Sequence, residues 1–288
     1  MKEPVSVIVR AYNAERYIEK ALYSILKNTY DGLVEVVVCY DLGSKDHTLD
    51  IVRKVIAENE HRDNRVIKLI MHEHMTPFRA LLNCGFANIT GRFVSILDYD
   101  NLYSRRHIEK MVRKAIEAQK DFLFVRVYAF DDQALKIIGG TRVPKKPCDV
   151  ASLIKAKKGN YIDANAMFID RTCLSIIMDK LKKLNHRLYD IVHEDWLIAL
   201  LALKYCNCLF NEDSYVFYRL HATNITANYK DYRTVILNDI RHIATLIAYY
   251  ELERENLTKR EVLALEYKIF ERLIALSKIL VRYIGEKL

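Results

Sequence analysis

Apolar positions along the chain alternate between short unbroken runs and longer, spaced stretches. Val5-Ser6-Val7-Ile8-Val9 is β-branched and continuous, the pattern of a buried strand. From Ala14 to Asn28 the residues Tyr17, Ile18, Ala21, Leu22, Ile25 and Leu26 recur at helical spacing. The alternation then repeats. A strand over Val34 to Cys39 leads to a helix with Leu49, Ile51, Val52, Val55 and Ile56 inward. A strand over Val66 to Met71 leads to a helix opened by Pro77 and running from Phe78 to Ala87, with Gly85 inside it as a sign of close packing. A fourth buried strand lies within Gly91 to Asn101. Strands and helices in strict alternation predict βαβ units and a parallel sheet.

The second half is less regular. Ser104 is the expected cap of a helix with Ile108, Met111, Val112, Ala115 and Ile116 on one face. Asp121 to Phe130 and Ala134 to Ile138 read as a hairpin, and Ala164 to Ile169 as a strand before a helix capped by Thr172. Leu197 to Leu203 is an apolar helix opened by His193-Glu194-Asp195-Trp196. Ser214 to Arg219 is a last strand, followed by His221 and a polar loop with Thr223, Asn224, Thr226 and Asn228. Residues 229–288 change character into two long helices, over about 231–256 and 259–284, the second started by the capping box Thr258-Lys259-Arg260-Glu261. The broad apolar stripe of the second, from Val262 to Ile284, has three possible covers: the rest of the chain, a second copy or a membrane surface.

Composition narrows this picture. The 288 residues are 51% hydrophobic, with 8 Gly and 4 Pro, enough apolar material for a large core and too little Gly and Pro for disorder. No signal peptide and no apolar run long enough to span a bilayer stands out. The six cysteines are scattered, which reads as free thiols in a cytoplasmic protein. His72-x-His74 and Cys206-x-Cys208 lack a second pair at zinc spacing. The net charge of +8 sits mostly in residues 101–228, which carry 21 Lys and Arg against 14 Asp and Glu. It is densest over Arg142, Lys145, Lys146, Lys155, Lys157 and Lys158, a segment suited either to an anionic partner or to plain solvation.

The candidate chemistry is carboxylate chemistry. Asp98 and Asp100 stand one residue apart at the end of a buried strand, so their side chains can converge while Tyr99 faces away. Hard oxygen donors of this kind suit Mg²⁺ or Mn²⁺. Glu194 and Asp195 open a helix, where the dipole favours them and where one could serve as a base beside Trp196. Neither G-x-G-x-x-G nor a P-loop follows the first strand, so phosphates would need another anchor, such as a metal.

These motifs, in order, resemble family 2 glycosyltransferases of GT-A fold over about residues 4–225. The resemblance is carried by Val5-Ser6-Val7-Ile8-Val9-Arg10-Ala11-Tyr12-Asn13-Ala14-Glu15, by Ser24-Ile25-Leu26-Lys27-Asn28-Thr29-Tyr30 and by Asp41 to Thr48. Asn83-x-Gly85, Gly91-Arg92-Phe93-Val94, Leu97-Asp98-Tyr99-Asp100, Glu194-Asp195 and Tyr218-Arg219-x-His221 complete it. It implies an α/β, Rossmann-like GT-A fold, mainly parallel with helices on both faces, plus a C-terminal helical hairpin. The implied organisation is a catalytic domain over 1–228, nucleotide-binding to about 103 and acceptor-binding over 104–228, with a helical extension over 229–288.

The implied activity is metal-dependent, inverting transfer of a sugar from a UDP- or GDP-sugar to a hydroxyl on a glycan, lipid-linked or protein acceptor. Asp195 would be the general base. Arg10, Tyr12, Asn13, Glu15, Asp41, Asp98, Glu194 and Trp196 would contact substrates. Asp100, with Asp98 and His221, would hold Mn²⁺ or Mg²⁺. The expected partners are these substrates and no nucleic acid, with a homodimer through the C-terminal helices or a peripheral membrane contact at the inner face as further readings. Three positions depart from the family pattern: Arg10 replaces a proline, Leu42 an Asp and Leu82 an Arg. Leu42 leaves the donor base open. A nucleotidyltransferase and a non-catalytic sugar-nucleotide-binding or assembly protein are the rival readings.

Overall fold

The computed structural model describes residues 2–133, 136–157, 159–221 and 232–285. Its first half follows the alternation in the sequence. Strands β1 (Val5–Ala11), β2 (Val34–Asp41), β3 (Arg65–His72) and β4 (Phe93–Ile96) are parallel, in the order β3-β2-β1-β4. Helices α1 (Ile18–Leu26) and α2 (Thr48–Asn59) connect the first three. Strands β1, β2 and β4 are buried on both faces because helices and the second half of the chain cover both, which is why they read as solid apolar runs, whereas β3, at the sheet edge, is only partly buried. After β3 comes a short helix, α3 (Pro77–Ala80), which widens into a π-helical turn over Leu81–Phe86. Gly85 lies in that turn, where a Cβ would stand 2.8 Å from Ile8 Cγ2.

The sheet then changes direction. Strands β5 (Leu102–Tyr103), β6 (Phe122–Asp131), β7 (Lys136–Gly140), β8 (Met167–Asp170) and β9 (Cys208–Leu220) extend it to nine strands. β8 pairs antiparallel with β4 and β6, and β9 runs parallel to β6. β5 pairs Leu102 with Phe217 and Tyr103 with Val216, so the chain just after Asp100 is fixed to β9. The expected hairpin is present as β6 and β7, although residues 134 and 135, where its second strand was expected to start, lie outside the described residues. The polar loop after His221 and the boundary at residue 228 lie outside them too.

Two caps differ from expectation. Helix α4 (His107–Glu117) starts three residues after Ser104, whose carbonyl rather than side chain accepts from the His107 N–H at 2.9 Å. After α5 (Val150–Ile154), α6 (Arg171–Leu181) is capped by Asp170, which accepts from the Thr172 N–H at 2.9 Å. A carboxylate at the N-cap satisfies an otherwise orphaned amide.

Helix α7 (Glu194–Tyr205) is buried from Trp196 to Leu203, so it runs through the core. The helices α8 (Tyr232–Glu253) and α9 (Lys259–Gly285) pack behind it. Leu246, Ala248, Tyr249, Ala264 and Leu265 belong to the same apolar cluster as α7. The capping box is reciprocal: the Thr258 N–H donates to Glu261 at 2.7 Å and the Glu261 N–H to Thr258 Oγ1 at 3.2 Å.

The cysteines correct the sequence reading. All six are paired, as Cys39–Cys84, Cys148–Cys208 and Cys173–Cys206, with Cα separations of 5.9, 5.6 and 5.8 Å. Partners 33 to 60 residues apart leave no spacing signal; only folding brings them together. Cys206 and Cys208 join different partners, so they are not a metal pair. The cytoplasmic expectation loses the argument it drew from free thiols. No helix among the described residues is long and apolar enough to cross a membrane.

Candidate active site

The C-terminal ends of β1, β2 and β4 lie along one edge of the sheet, the edge where open α/β sheets bind ligands. Arg10, Tyr12, Asp41 and Asp98 are delivered there by strand register alone. The loop after β1 turns at Asn13, whose φ of 47° is left-handed, a conformation that Asn tolerates better than most residues. Asn13 Oδ1 accepts from the Lys45 N–H at 2.9 Å and Glu15 Oε2 from the His47 N–H at 3.0 Å. Both side chains, although exposed, therefore stitch this loop to the one after β2.

Beside that seam is a small wall. Asp41 is buried, accepting from the Gly43 N–H at 2.7 Å and pairing with His74 Nδ1 at 2.9 Å. The His74 ring lies 5.0 Å from that of Tyr12, which is 43% exposed and free to take a planar ligand on its face. Sequence reasoning saw His74 only as half of a weak metal pair. Leu42 is exposed next to the wall.

The turn after β4 closes with the Asn101 N–H donating to Asp98 O at 3.0 Å. Arg219, almost fully buried on β9, holds this turn. Its Nε donates to Asp100 O at 2.8 Å and its backbone N–H to Asn101 Oδ1 at 3.0 Å. The guanidinium pairs with Asp132 and packs between the rings of Tyr17 and Phe130. His221, two residues on, places Nε2 3.0 Å from Asp100 Oδ2. Burial raises the Asp100 carboxyl above its usual range, the charge of Asp98 adds to this and His221 opposes it.

Asp98 faces the other way. Its Oδ1 accepts from Arg10 Nη2 at 2.7 Å and its Oδ2 from Asn165 Nδ2 at 3.0 Å. The second arm of Arg10 donates to Glu194 Oε1 at 2.8 Å. One guanidinium thus bridges the end of β4 to the start of α7. Asn165, in a 3₁₀ turn over Ala164–Ala166 where a strand was expected, also donates to Asp163 at 2.6 Å. Burial raises the Asp163 carboxyl, and Asp98 and Asp100 contribute.

Asp195 completes the cluster. Its Oδ2 accepts from Asn160 Nδ2 at 2.9 Å and its Oδ1 from the Trp196 N–H at 2.7 Å. Burial, then the charges of Glu194 and Asp163, push its carboxyl up to about 7, the range a general base needs near neutrality. Trp196 does not face the cleft: it is fully buried, with its ring 5.4 Å from that of His242, so the structure places it in the core beneath Asp195. Sequence reading missed Asn160, Asp163 and Asn165. Their one local signal is the crowding of Asn and Asp into Asn160-Tyr161-Ile162-Asp163-Ala164-Asn165.

Among the described residues no group of three or more His, Cys, Asp and Glu side chains forms a complete metal cage. Asp100 and His221 nevertheless offer an oxygen and a nitrogen at one point. That donor set fits a divalent ion whose remaining ligands are substrate phosphate oxygens and water, the usual arrangement for Mg²⁺ with nucleotides.

Residues 6–184 match the family model described as Glycosyl transferase family 2. The chain is 26% identical over 227 residues to the UDP-Glc:alpha-D-GlcNAc-diphosphoundecaprenol beta-1,3-glucosyltransferase WfgD of Escherichia coli, covering 78% of this chain and 80% of the relative. Other curated relatives it matches are longer, and the chain spans 18% and 31% of their lengths. Among solved structures it is similar to TarS of S. aureus in complex with UDP-GlcNAc, at TM-score 0.59 and 18% identity over 95% of this chain and 81% of that one. It is also similar to the mannosyltransferase PcManGT of Pyrobaculum calidifontis with GDP-Man and Mn²⁺, at TM-score 0.62 and 17% identity over 99% and 76%. At these identities the structural likeness speaks for the GT-A fold.

Proposed function

We propose that this chain, which belongs to glycosyl transferase family 2, transfers one sugar from a nucleotide diphosphate donor to an acceptor hydroxyl with inversion. The observation that carries the reading is the Arg10 bridge, which brings Asp98 on the donor strand and Glu194, next to Asp195, to two sides of one guanidinium. A donor lying along the strand ends would stack its base on Tyr12, beside Asp41 and His74. Its sugar would reach Asp98. Asp195 would take the proton of the acceptor hydroxyl as that oxygen bonds to C1. The C1–O bond to phosphate breaks on the opposite face as the new bond forms, and the nucleoside diphosphate leaves with the electron pair. Glu194, held by Arg10, would keep a negative charge near Asp195 and so keep its basicity high.

Asp100 and His221 would hold Mn²⁺ or Mg²⁺. When bound, the ion offsets charge on the departing diphosphate. The metal-bearing mannosyltransferase neighbour supports such a cofactor. For the donor, neighbours holding UDP-GlcNAc and GDP-Man support a nucleotide sugar of either base. For the acceptor we favour a glycan on a lipid diphosphate, which is the acceptor in the name of the Escherichia coli relative. The catalytic unit would be residues 1–228, with donor and acceptor halves meeting near residue 103.

The test is a panel of sugar nucleotides with Mn²⁺ or Mg²⁺, followed by Asp195→Asn. Turnover should release a nucleoside diphosphate, and the variant should lose about 10²- to 10⁴-fold in kcat while donor affinity stays within about twofold. Release of pyrophosphate would mark a nucleotidyltransferase. Donor binding without turnover would mark a non-catalytic binding protein. Loss of donor binding in the variant would remove Asp195 from the role of base.

A further inference from the structure

Helix α9 keeps a row of large apolar side chains in solvent. Leu263, Tyr267, Phe270, Ile274 and Val281 are between 39% and 70% exposed, and their spacing places them on one face. The opposite face, with Ala264, Leu265 and Lys268, is buried on the domain, so this stripe is surplus to holding the helix in place. It has a basic border. Lys278 and Arg282 flank it on α9 and are exposed. Arg260 pairs with Asp149 at 3.0 Å, and Lys268 Nζ donates to Ala156 O at 2.9 Å, which lays the segment 142–157 along the same helix. Arg142, Lys145, Lys146, Lys155 and Lys157 of that segment are exposed. Of the described acids of α9, Glu261 is buried against Lys204, Glu271 pairs with Lys268, and Glu266 alone stands exposed.

We infer that this face seats the protein on an anionic lipid surface, with the apolar row in the headgroup boundary and the basic border against lipid phosphates. An amphipathic helix with cations beside its apolar face binds a bilayer in this manner without crossing it. A two-fold contact between copies through the same face would instead bring the two basic borders together, and the repulsion disfavours it. The inference goes beyond the transferase reading and does not depend on it.

Flotation of the purified full chain with vesicles tests this. Vesicles of phosphatidylglycerol and phosphatidylcholine should bind it at least about tenfold more tightly than phosphatidylcholine alone, and salt should weaken the binding. The double variant Phe270→Glu/Val281→Glu should lose about tenfold or more of that affinity, with an unchanged circular dichroism spectrum and unchanged sugar-nucleotide hydrolysis in solution. Lys145→Glu/Lys146→Glu, which leaves the apolar row intact, should reduce the preference for anionic vesicles. Equal vesicle binding by parent and Phe270→Glu/Val281→Glu would overturn the proposal. So would a dimer, seen by light scattering, that the same double variant turns into monomer, since the face would then be an interface between copies.

Discussion

The two sides of the cleft are built differently. On the side proposed to take the donor, Tyr12, Asp41 and Asp98 follow directly from the ends of parallel strands, and loops adjacent in space stitch to each other through Asn13 and Glu15. On the side proposed to take the acceptor, Asp195 is held by Asn160, and Asp163 by Asn165, residues some thirty positions or more from α7 or from the turn after β4 that they serve. The donor side is open, with Tyr12 half exposed, whereas the acceptor side encloses its carboxyls and raises them. A pocket for a charged, hydrated nucleotide can be shallow. A base that must take a proton near neutral pH needs burial and negative neighbours.

This contrast can be broken at its joints, beginning with Arg219. Arg219→Ala removes a buried cation from Asp132 and the Nε hydrogen bond to Asp100 O from the turn after β4. It should cost about 3–5 kcal/mol of stability in chemical denaturation, because it empties a buried site and leaves the largely buried Asp132 only the exposed Arg16 at 3.6 Å as a partner. A loss no larger than that of a surface substitution would mean the turn holds itself. Reduction of the three disulfides comes next. Each closes a long loop, and its removal should cost about 2–5 kcal/mol. Peptide mapping without reductant should recover Cys39–Cys84, Cys148–Cys208 and Cys173–Cys206 linked, while free thiols at these positions would refute the pairing.

Arg10→Met sharpens the link between the two sides. It leaves Glu194 without its cation, which should raise the Asp195 carboxyl further. With Asp195 in the proposed role of base, activity requires it ionised, so kcat/KM should rise with pH through about 7 in the parent. In the variant that limb should move to higher pH and lower kcat/KM at pH 7 by roughly tenfold. An unmoved limb would show that Arg10 does not influence the base. The same carboxyl should cost stability. Its folded pKa lies above the ordinary value, so the cost is absent below about pH 4, grows as pH rises and is complete above about 7. Asp195→Asn should therefore raise Tm at pH 8 more than at pH 5. On the open side, Tyr12→Ala should weaken donor binding by about tenfold through lost stacking, with little change in Tm.

What was legible in the chain was whatever a local pattern encodes. Strand runs, helical stripes, the Thr258–Glu261 box and the Asp98-x-Asp100 turn need only neighbours in sequence, and register then aligns the strand ends. The motif order was enough to point to the family. Contacts between distant segments left no local mark. The cysteine pairs, the Arg10 bridge, the His74 partner of Asp41 and the Asn160 and Asn165 supports join residues that only the sheet's turn from parallel to antiparallel brings together. Trp196 shows the same limit in reverse: its place beside Asp195 in sequence suggested the cleft, but a helix sends successive side chains around its axis, and packing against His242 placed this one in the core. Sequence by itself determined the elements, the strand-end carboxylates and the family. Tertiary structure decided which carboxylates are enclosed, and with that which of them can act as a base, because burial and charge neighbours are properties of the assembled interior.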